Sequence, residues 1–372
     1  MHPFVRHHVD NQGYAEVCCE AVRDPDTRQH TMDWHAPHMR DNRRQWLQGQ
    51  WPKECVRCLQ SERQGRMSLR QQTNEHYPEL TEWHRDHGSE TPPPPVAYDL
   101  RMNNLCNMAC VMCGSHNSTL HHALQMSHQG LAEHTPSDPQ LVDDCVHQIT
   151  RHRATIQHLS FAGGEPMVMP GVLRIMRMLC ESGDAPHITV RITTNGTVWR
   201  PQWQQWLDQF RSVQMDVSVD AVGEMAPRMR PPVQWPRIEH NILAMREWCD
   251  ESPTRHIMLA CTVHALNLGA LPDLYAWHTQ EGLRAWYDAV QYPLWLRPRQ
   301  APSPIKLQCA DWISVLPDDD VRRNLLPELA LARQDTAEII QQQHEGCDYL
   351  AHVWHAPWHE VMPQLSHWPR QP

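Results

Sequence analysis

From residue 97 onward the chain alternates six times between a short apolar run and a longer amphipathic one, and this rhythm limits its fold more than any other feature. The short runs Ala97–Met102, Ile156–Phe161, Ile188–Thr193, Val213–Val219, Ile257–Val263 and Trp286–Tyr292 read as strands. Between them, Pro139–Arg151, Val172–Cys180, Gln202–Phe210, Pro236–Cys249 and Leu271–Gln280 read as helices. Strands separated by helices predict an α/β chain in which helices cover a parallel sheet. Upstream, Gly88-Ser89-Glu90-Thr91 leads into four prolines, Pro92 to Pro95, which favour an extended, semi-rigid spacer. The expected division is therefore an N-terminal module over 1–90, a linker over 91–96, the alternating domain over 97–300, and a C-terminal extension over 301–372. In that extension Asp318-Asp319-Asp320 leads into Val321–Gln343 and reads as N-capped helices.

Four motifs sit at the carboxyl ends of these expected strands, where parallel α/β folds place their sites. After the first strand, Cys106, Cys110 and Cys113 form a C-x3-C-x2-C triplet. A four-iron cluster normally takes four thiolates, so three leave one iron open to bind a small molecule and pass it an electron. The alternatives are a zinc site with His116 as a fourth ligand, or inert thiols. After the second strand comes Gly163-Gly164-Glu165-Pro166. Its glycines admit positive φ and close approach of a ligand, and its glutamate can accept a hydrogen bond from an ammonium group. Taken alone it is equally an ordinary strand-to-helix turn. Thr193-Thr194-Asn195-Gly196-Thr197 follows the third strand, where Asn-Gly also suits a plain positive-φ turn. Ser218-Val219-Asp220 ends the fourth, with a capping pair as the alternative reading.

In this order the motifs resemble those of the radical S-adenosylmethionine (radical SAM) superfamily. The resemblance spans nearly the whole chain and implies a partial (β/α)6 TIM-type barrel. It implies a [4Fe-4S] cluster on Cys106, Cys110 and Cys113, with S-adenosylmethionine as the second cofactor. Gly163, Gly164 and Glu165 match the segment that holds the methionine ammonium group. Ser218 and Asp220 match residues that contact ribose or carboxylate, Asn195 could face the cofactor, and Arg230 resembles an arginine that pairs with the methionine carboxylate. Met112 stands where the family usually has an aromatic residue near the adenine. The implied activity is reductive cleavage of S-adenosylmethionine to a 5′-deoxyadenosyl radical that abstracts hydrogen from a substrate. An electron donor such as a flavodoxin or ferredoxin is implied, and a peptide or protein substrate comes first. A nucleotide or small metabolite, or a non-catalytic metal-binding scaffold, are the alternatives; joint presence of Glu165, Ser218 and Asp220 with the cysteines favours the enzyme.

Val17-Cys18-Cys19, Trp51-Pro52-Lys53-Glu54-Cys55-Val56-Arg57-Cys58, Glu62 and Ser68-Leu69-Arg70 further resemble the twitch domain-containing subgroup. That likeness implies a small N-terminal cysteine-containing twitch/SPASM-like module with an auxiliary site at Cys18, Cys19, Cys55 and Cys58. Iron–sulfur cluster, zinc and no metal all stay open there. Adjacent cysteines seldom both reach one metal, which leaves three ligands. The subgroup's earlier cysteine beside a Pro-Trp pair is replaced by Met1-His2-Pro3-Phe4, so His2, Cys309 and Cys347 are candidate substitutes.

Charge bears on partners. With 33 basic and 43 acidic residues the formal charge is −10, and no basic block stands out, which disfavours long nucleic acid. The 27 histidines are dispersed and read mainly as surface or packing residues. Met1 to Gly13 lacks the apolar core of a signal peptide, and no run reaches about 18 apolar residues. The expectation is a cytoplasmic protein without a membrane span, whose thiols stay reduced. The odd total of 13 cysteines argues against a disulfide framework, and Cys145, Cys180, Cys249 and Cys261 read as small buried hydrophobes. Trp199, Trp203 and Trp206 read as packing residues.

Overall fold

A computed structural model describes residues 2–10, 13–22, 32–63, 65, 67–130 and 139–365. Parts of the expected N-terminal module and alternating domain, and the end of the C-terminal extension, therefore lie outside the described residues. So does the side chain of His2. The strands are β1 (Arg6–Val9), β2 (Ala15–Glu16), β3 (Ala97–Leu100), β4 (His158–Phe161), β5 (Thr189–Thr194), β6 (Ser212–Ser218), β7 (Arg255–Val263) and β8 (Ala285–Ala289). They form one open sheet in the order β2-β1-β3-β4-β5-β6-β7-β8. The pairs β1–β3, β3–β4, β4–β5 and β7–β8 are parallel, and the β1–β2 pair is antiparallel. This α/β sheet is consistent with a partial TIM-type barrel, and each of the six strands read from sequence is present.

Contacts divide the chain into two compact units, one of residues 1–104, 137–192 and 201–213, the other of 105–136, 193–200 and 214–372. In the first, the helix Pro139–His152 buries Leu141, Cys145 and Ile149, one per turn along a single face. The helix Pro170–Glu181 likewise buries Val172, Ile175, Met176 and Leu179. The sheet beneath contributes Leu159, Phe161, Val190 and Ile192, all nearly inaccessible to solvent. Cys145 is buried as expected, whereas Cys180 is half-buried with its Sγ 3.7 Å from the Trp206 carbonyl.

Sequence reading did not anticipate β1. Arg6-His7-His8-Val9 has no apolar alternation, yet it pairs with β3 in the register Arg6↔Ala97 to Val9↔Leu100. Its two histidines are buried because the neighbouring chain supplies partners: His8 Nδ1 lies 3.0 Å from Asp99 Oδ2, and the His7 ring stacks on Tyr98. The proline segment is also tied to this unit. Trp34 Nε1 donates to the Pro93 carbonyl at 2.9 Å, and the wholly buried Arg43 donates to the carbonyls of Glu90 and Trp34 while lying 4.0 Å from the Trp34 ring centroid.

In the second unit β7 and β8 run parallel from Leu259↔Ala285 to Val263↔Ala289, and the helix Trp235–Asp250 buries Ile238, Ile242 and Met245. The carboxyl-terminal part forms the helices Ser303–Ser314, Asp319–Ala330, Ala337–Trp354 and Trp358–Val361. Asp318 caps the second of them by accepting from the Asp320 and Val321 N–H groups. The run then breaks, and Thr336 caps a new helix by accepting from Ile339 N–H. Among the described residues no helix is long and apolar enough to cross a membrane.

Candidate functional site

The loop after β3 is irregular in backbone but firmly tied. Ala109 N–H donates to the Pro231 carbonyl at 2.7 Å, and Val111 N–H to the Met229 carbonyl at 2.9 Å. Ser118 caps the following helix, Thr119–Gln129, by accepting from His121 N–H, and its own hydroxyl donates to the Met108 carbonyl. Cys113 N–H donates to the Cys110 carbonyl at 2.8 Å, and that same oxygen lies 2.9 Å from Nε2 of His121. The other nitrogen of His121 is 2.7 Å from the Tyr349 hydroxyl. Eight residues carrying three cysteines are thereby held without a strand or helix of their own.

Cys110 is buried, and Cys106 and Cys113 are half-buried. The Cys113 thiol is pushed up to about 12, first by burial and then by the nearby Cys110 and Cys106. Two side chains offer N–H groups to these sulfurs. Arg230 Nη1 lies 3.5 Å from Cys110 Sγ, and Asn195 Nδ2 lies 3.9 Å from Cys106 Sγ.

Arg230 also faces Asp220, with Nε 2.7 Å from Oδ2. Asp220 is fully buried, its Oδ1 accepts from Thr262 N–H at 2.9 Å, and its carbonyl accepts from Asn267 Nδ2 at 3.0 Å. Burial pushes the Asp220 carboxyl up against the pull of Arg230. On Arg230 burial works downward, but the charges of Asp220 and Cys110 outweigh it and raise the guanidinium, which stays protonated. Asp220 and Arg230, singled out separately in the sequence, thus meet each other. Ser218 is the half-buried last residue of β6.

Asn195 follows β5 in a turn where Gly196 has φ +73°, as an Asn-Gly pair favours. A Cβ on Gly196 would also lie 3.1 Å from Val217 Cγ1. The Asn195 side chain does more than make a turn. Its Oδ1 accepts from Thr197 N–H and from the Thr197 hydroxyl, and its Nδ2 donates to Asn107 Oδ1 at 2.8 Å. Asn107 Nδ2 returns a hydrogen bond to the Thr197 hydroxyl at 3.0 Å. Asn107 lies beside Cys106 in the sequence and was not singled out, because its partners are about 90 positions away. Met112, Cys113, Gly114 and His116 line a cavity of about 190 Å³ whose far wall includes Gln342, Glu345 and Tyr349.

The first unit holds the remaining candidates. Gly163 follows β4 at φ +104°, and a Cβ there would sit 3.2 Å from Arg101 Cβ and 3.3 Å from the Asn103 carbonyl, so both backbone and space require glycine. Gly164 N–H points to the Asn103 carbonyl at 3.5 Å. Glu165 is fully buried and its Oε1 accepts from Met167 N–H at 3.0 Å.

At the N-terminal end, Cys18 and Cys55 join a buried cluster with Val17, Trp34 and Met39, while Cys19 is exposed. Cys18, Cys55 and Cys58 share the lining of a cavity of about 20 Å³ with Trp46, Leu69 and Arg70. Burial pushes the Cys55 thiol up to about 11, against a hydrogen bond from Asn42. Arg70 lies 5.3 Å from the Trp51 ring centroid and makes two hydrogen bonds to Glu62, at 2.9 and 2.7 Å; Ser68 also donates to Glu62. Cys347 and Cys309, the proposed substitute ligands, are buried in the second unit. Among the described residues, no three His, Cys, Asp or Glu side chains converge as one metal ion would need.

Residues 100–258 match the family model of the Radical SAM superfamily. No curated protein matches the chain. Among solved structures it is similar to anSMEcpe with bound AdoMet, at 15% identity over 59% of this chain and 60% of that one, with a TM-score of 0.42. It is also similar to Streptococcus suis SuiB bound to precursor peptide SuiA, at 11% identity over 70% of this chain and 57% of that one, with a TM-score of 0.42. The chain thus spans less than two thirds of the length of each of these solved structures. The family match runs from the end of β3 into β7, so this segment is a radical SAM superfamily domain.

Proposed function

We propose that Cys106, Cys110 and Cys113 hold a [4Fe-4S] cluster, that the chain binds S-adenosylmethionine, and that it abstracts hydrogen from a peptide or protein. The observation that carries this reading is the tied loop, in which Arg230 and Asn195 offer N–H groups to Cys110 and Cys106. Among the described residues no three His, Cys, Asp or Glu side chains converge on one ion, and three cysteines on one loop are the donor set that a cluster with an open iron would take. Cys106, Cys110 and Cys113 would hold the cluster, which when bound would supply the electron for reductive cleavage of S-adenosylmethionine.

The chain's residues bind and orient. Glu165 would accept from the methionine ammonium group, and Gly163 and Gly164 would let the backbone come close to it. Met112 would cover the adenine with a polarizable thioether. Ser218 would reach the ribose or carboxylate, and the hydrogen-bonded ring of Asn195, Thr197 and Asn107 would keep the neighbouring loop in shape. Asp220 and Arg230 would act as a pair on the methionine carboxylate side. The peptide class follows from the subgroup that the N-terminal cysteines resemble, and the cavity beside Cys113 offers amide and carboxylate groups suited to a peptide backbone. We further propose a cytoplasmic setting with a flavodoxin or ferredoxin as reductant, the module divisions 1–90, 91–96, 97–300 and 301–372, and a twitch-like auxiliary site at Cys18, Cys55 and Cys58.

Anaerobic reconstitution with iron and sulfide, followed by reduction with S-adenosylmethionine present, tests the reading. The wild type should release 5′-deoxyadenosine and Cys110→Ala should release none. Product that persists in the variant, or a wild type that carries its iron yet forms no product, overturns it.

A further inference from the structure

We propose that Arg230, held by Asp220, hydrogen-bonds the Cys110 thiolate and thereby raises the reduction potential of the cluster, independently of any contact with S-adenosylmethionine. The inference rests on the cluster assignment above. Backbone register brings the two residues together: the N–H groups on either side of Cys110, at Ala109 and Val111, donate to the carbonyls on either side of Arg230, at Pro231 and Met229. Cys110 and Arg230 therefore occupy opposed positions of a short paired segment. From there Nη1 reaches to 3.5 Å of Sγ.

Asp220 fixes the other side of the guanidinium through the 2.7 Å contact to Nε. The carboxylate cannot swing away, since Thr262 N–H holds its Oδ1 and Asn267 holds its main-chain carbonyl. Asp220 is buried and Arg230 mostly covered, with side-chain exposures of 0% and 13%, so their charges are poorly screened by water. A permanently cationic donor on a cluster thiolate stabilises the form carrying one more electron. Lysine could keep the charge but could not face Asp220 and Cys110 at once with a rigid fork.

The experiment is a redox titration of the full reconstituted chain, followed by electron paramagnetic resonance, with no S-adenosylmethionine present. Arg230→Gln should lower the midpoint, so that the ratio of reduced to oxidised cluster at a fixed potential falls about tenfold, equivalent to about 59 mV for one electron. Arg230→Lys should shift the ratio the same way by about threefold, and it carries the test if the glutamine variant does not fold. Midpoints equal to wild type in the folded variants overturn the proposal. A loss of S-adenosylmethionine affinity at an unchanged midpoint would also overturn it, assigning Arg230 to the cofactor alone. A wild type that assembles no cluster removes the reading beneath it, an outcome visible before any variant is measured.

Discussion

The two groups of three cysteines are built on opposite electrostatic plans. Around Cys106, Cys110 and Cys113 the chain places a cation, an amide and a network of polar side chains, several of them buried and fixed by backbone. Around Cys18, Cys55 and Cys58 it places Val17, Trp46 and Leu69, with the Asn42 amide near Cys55 and Arg70 committed to Glu62. Burial raises thiols in both settings, and in the first the cationic Arg230 works against it at Cys110 and Cys113. Spacing along the chain does not disclose that contrast, because both groups are short cysteine motifs. It shows only when the groups facing each sulfur are known.

The largest effect expected of this contrast is at the loop. Replacing Cys106, Cys110 and Cys113 together by alanine should remove nearly all cluster iron and sulfide, measured by colorimetric assay. Iron retained at the wild-type level would place the cluster elsewhere. Cys55→Ala/Cys58→Ala should instead leave cluster iron at the wild-type level, by elemental analysis of the purified chain. Loss of iron would turn the N-terminal trio into a second cluster site. Next comes the cover over that trio: Arg70→Ala leaves Glu62 without its two charge-assisted hydrogen bonds and should cost about 1–2 kcal/mol in urea denaturation. No change would mean the pair is held too loosely to matter.

The smallest effect is a pH dependence. His84, buried beside Phe4 and Trp83, is pushed from 6.5 down to about 4, chiefly by burial. Between those values the unfolded chain binds a proton that the folded chain refuses. The stability tied to neutral His84 is complete above the unfolded value of 6.5 and is lost as pH falls toward 4. Denaturation at stepped pH should show that slope, and His84→Leu should flatten it. An unaltered slope would assign the acid sensitivity to other groups.

Much of the alternating region is legible because its runs are long and rich in β-branched residues: β7 and the helix Leu271–Gln280 fall almost where periodicity places them. The cysteine loop, the glycine turn and the Asn-Gly turn are legible for a different reason, since each needs particular residue types. What stays hidden is long-range pairing. His121 with Tyr349 and Thr197 with Asn107 join residues far apart in sequence, and no local pattern marks them. β1 is hidden too, because two histidines look solvent-facing until Asp99 and Tyr98 are placed beside them.

That first strand has a practical consequence. It donates and accepts along one whole side of β3, from the Val96 N–H held by the Val5 carbonyl to the Arg101 N–H held by the Val9 carbonyl. A shortened chain starting at the prolines would leave β3 with a bare row of peptide groups, an open template for sticking to another copy of itself. Trimming the first ten residues to obtain a tidier protein should therefore yield aggregates, however intact the cysteine loop remains.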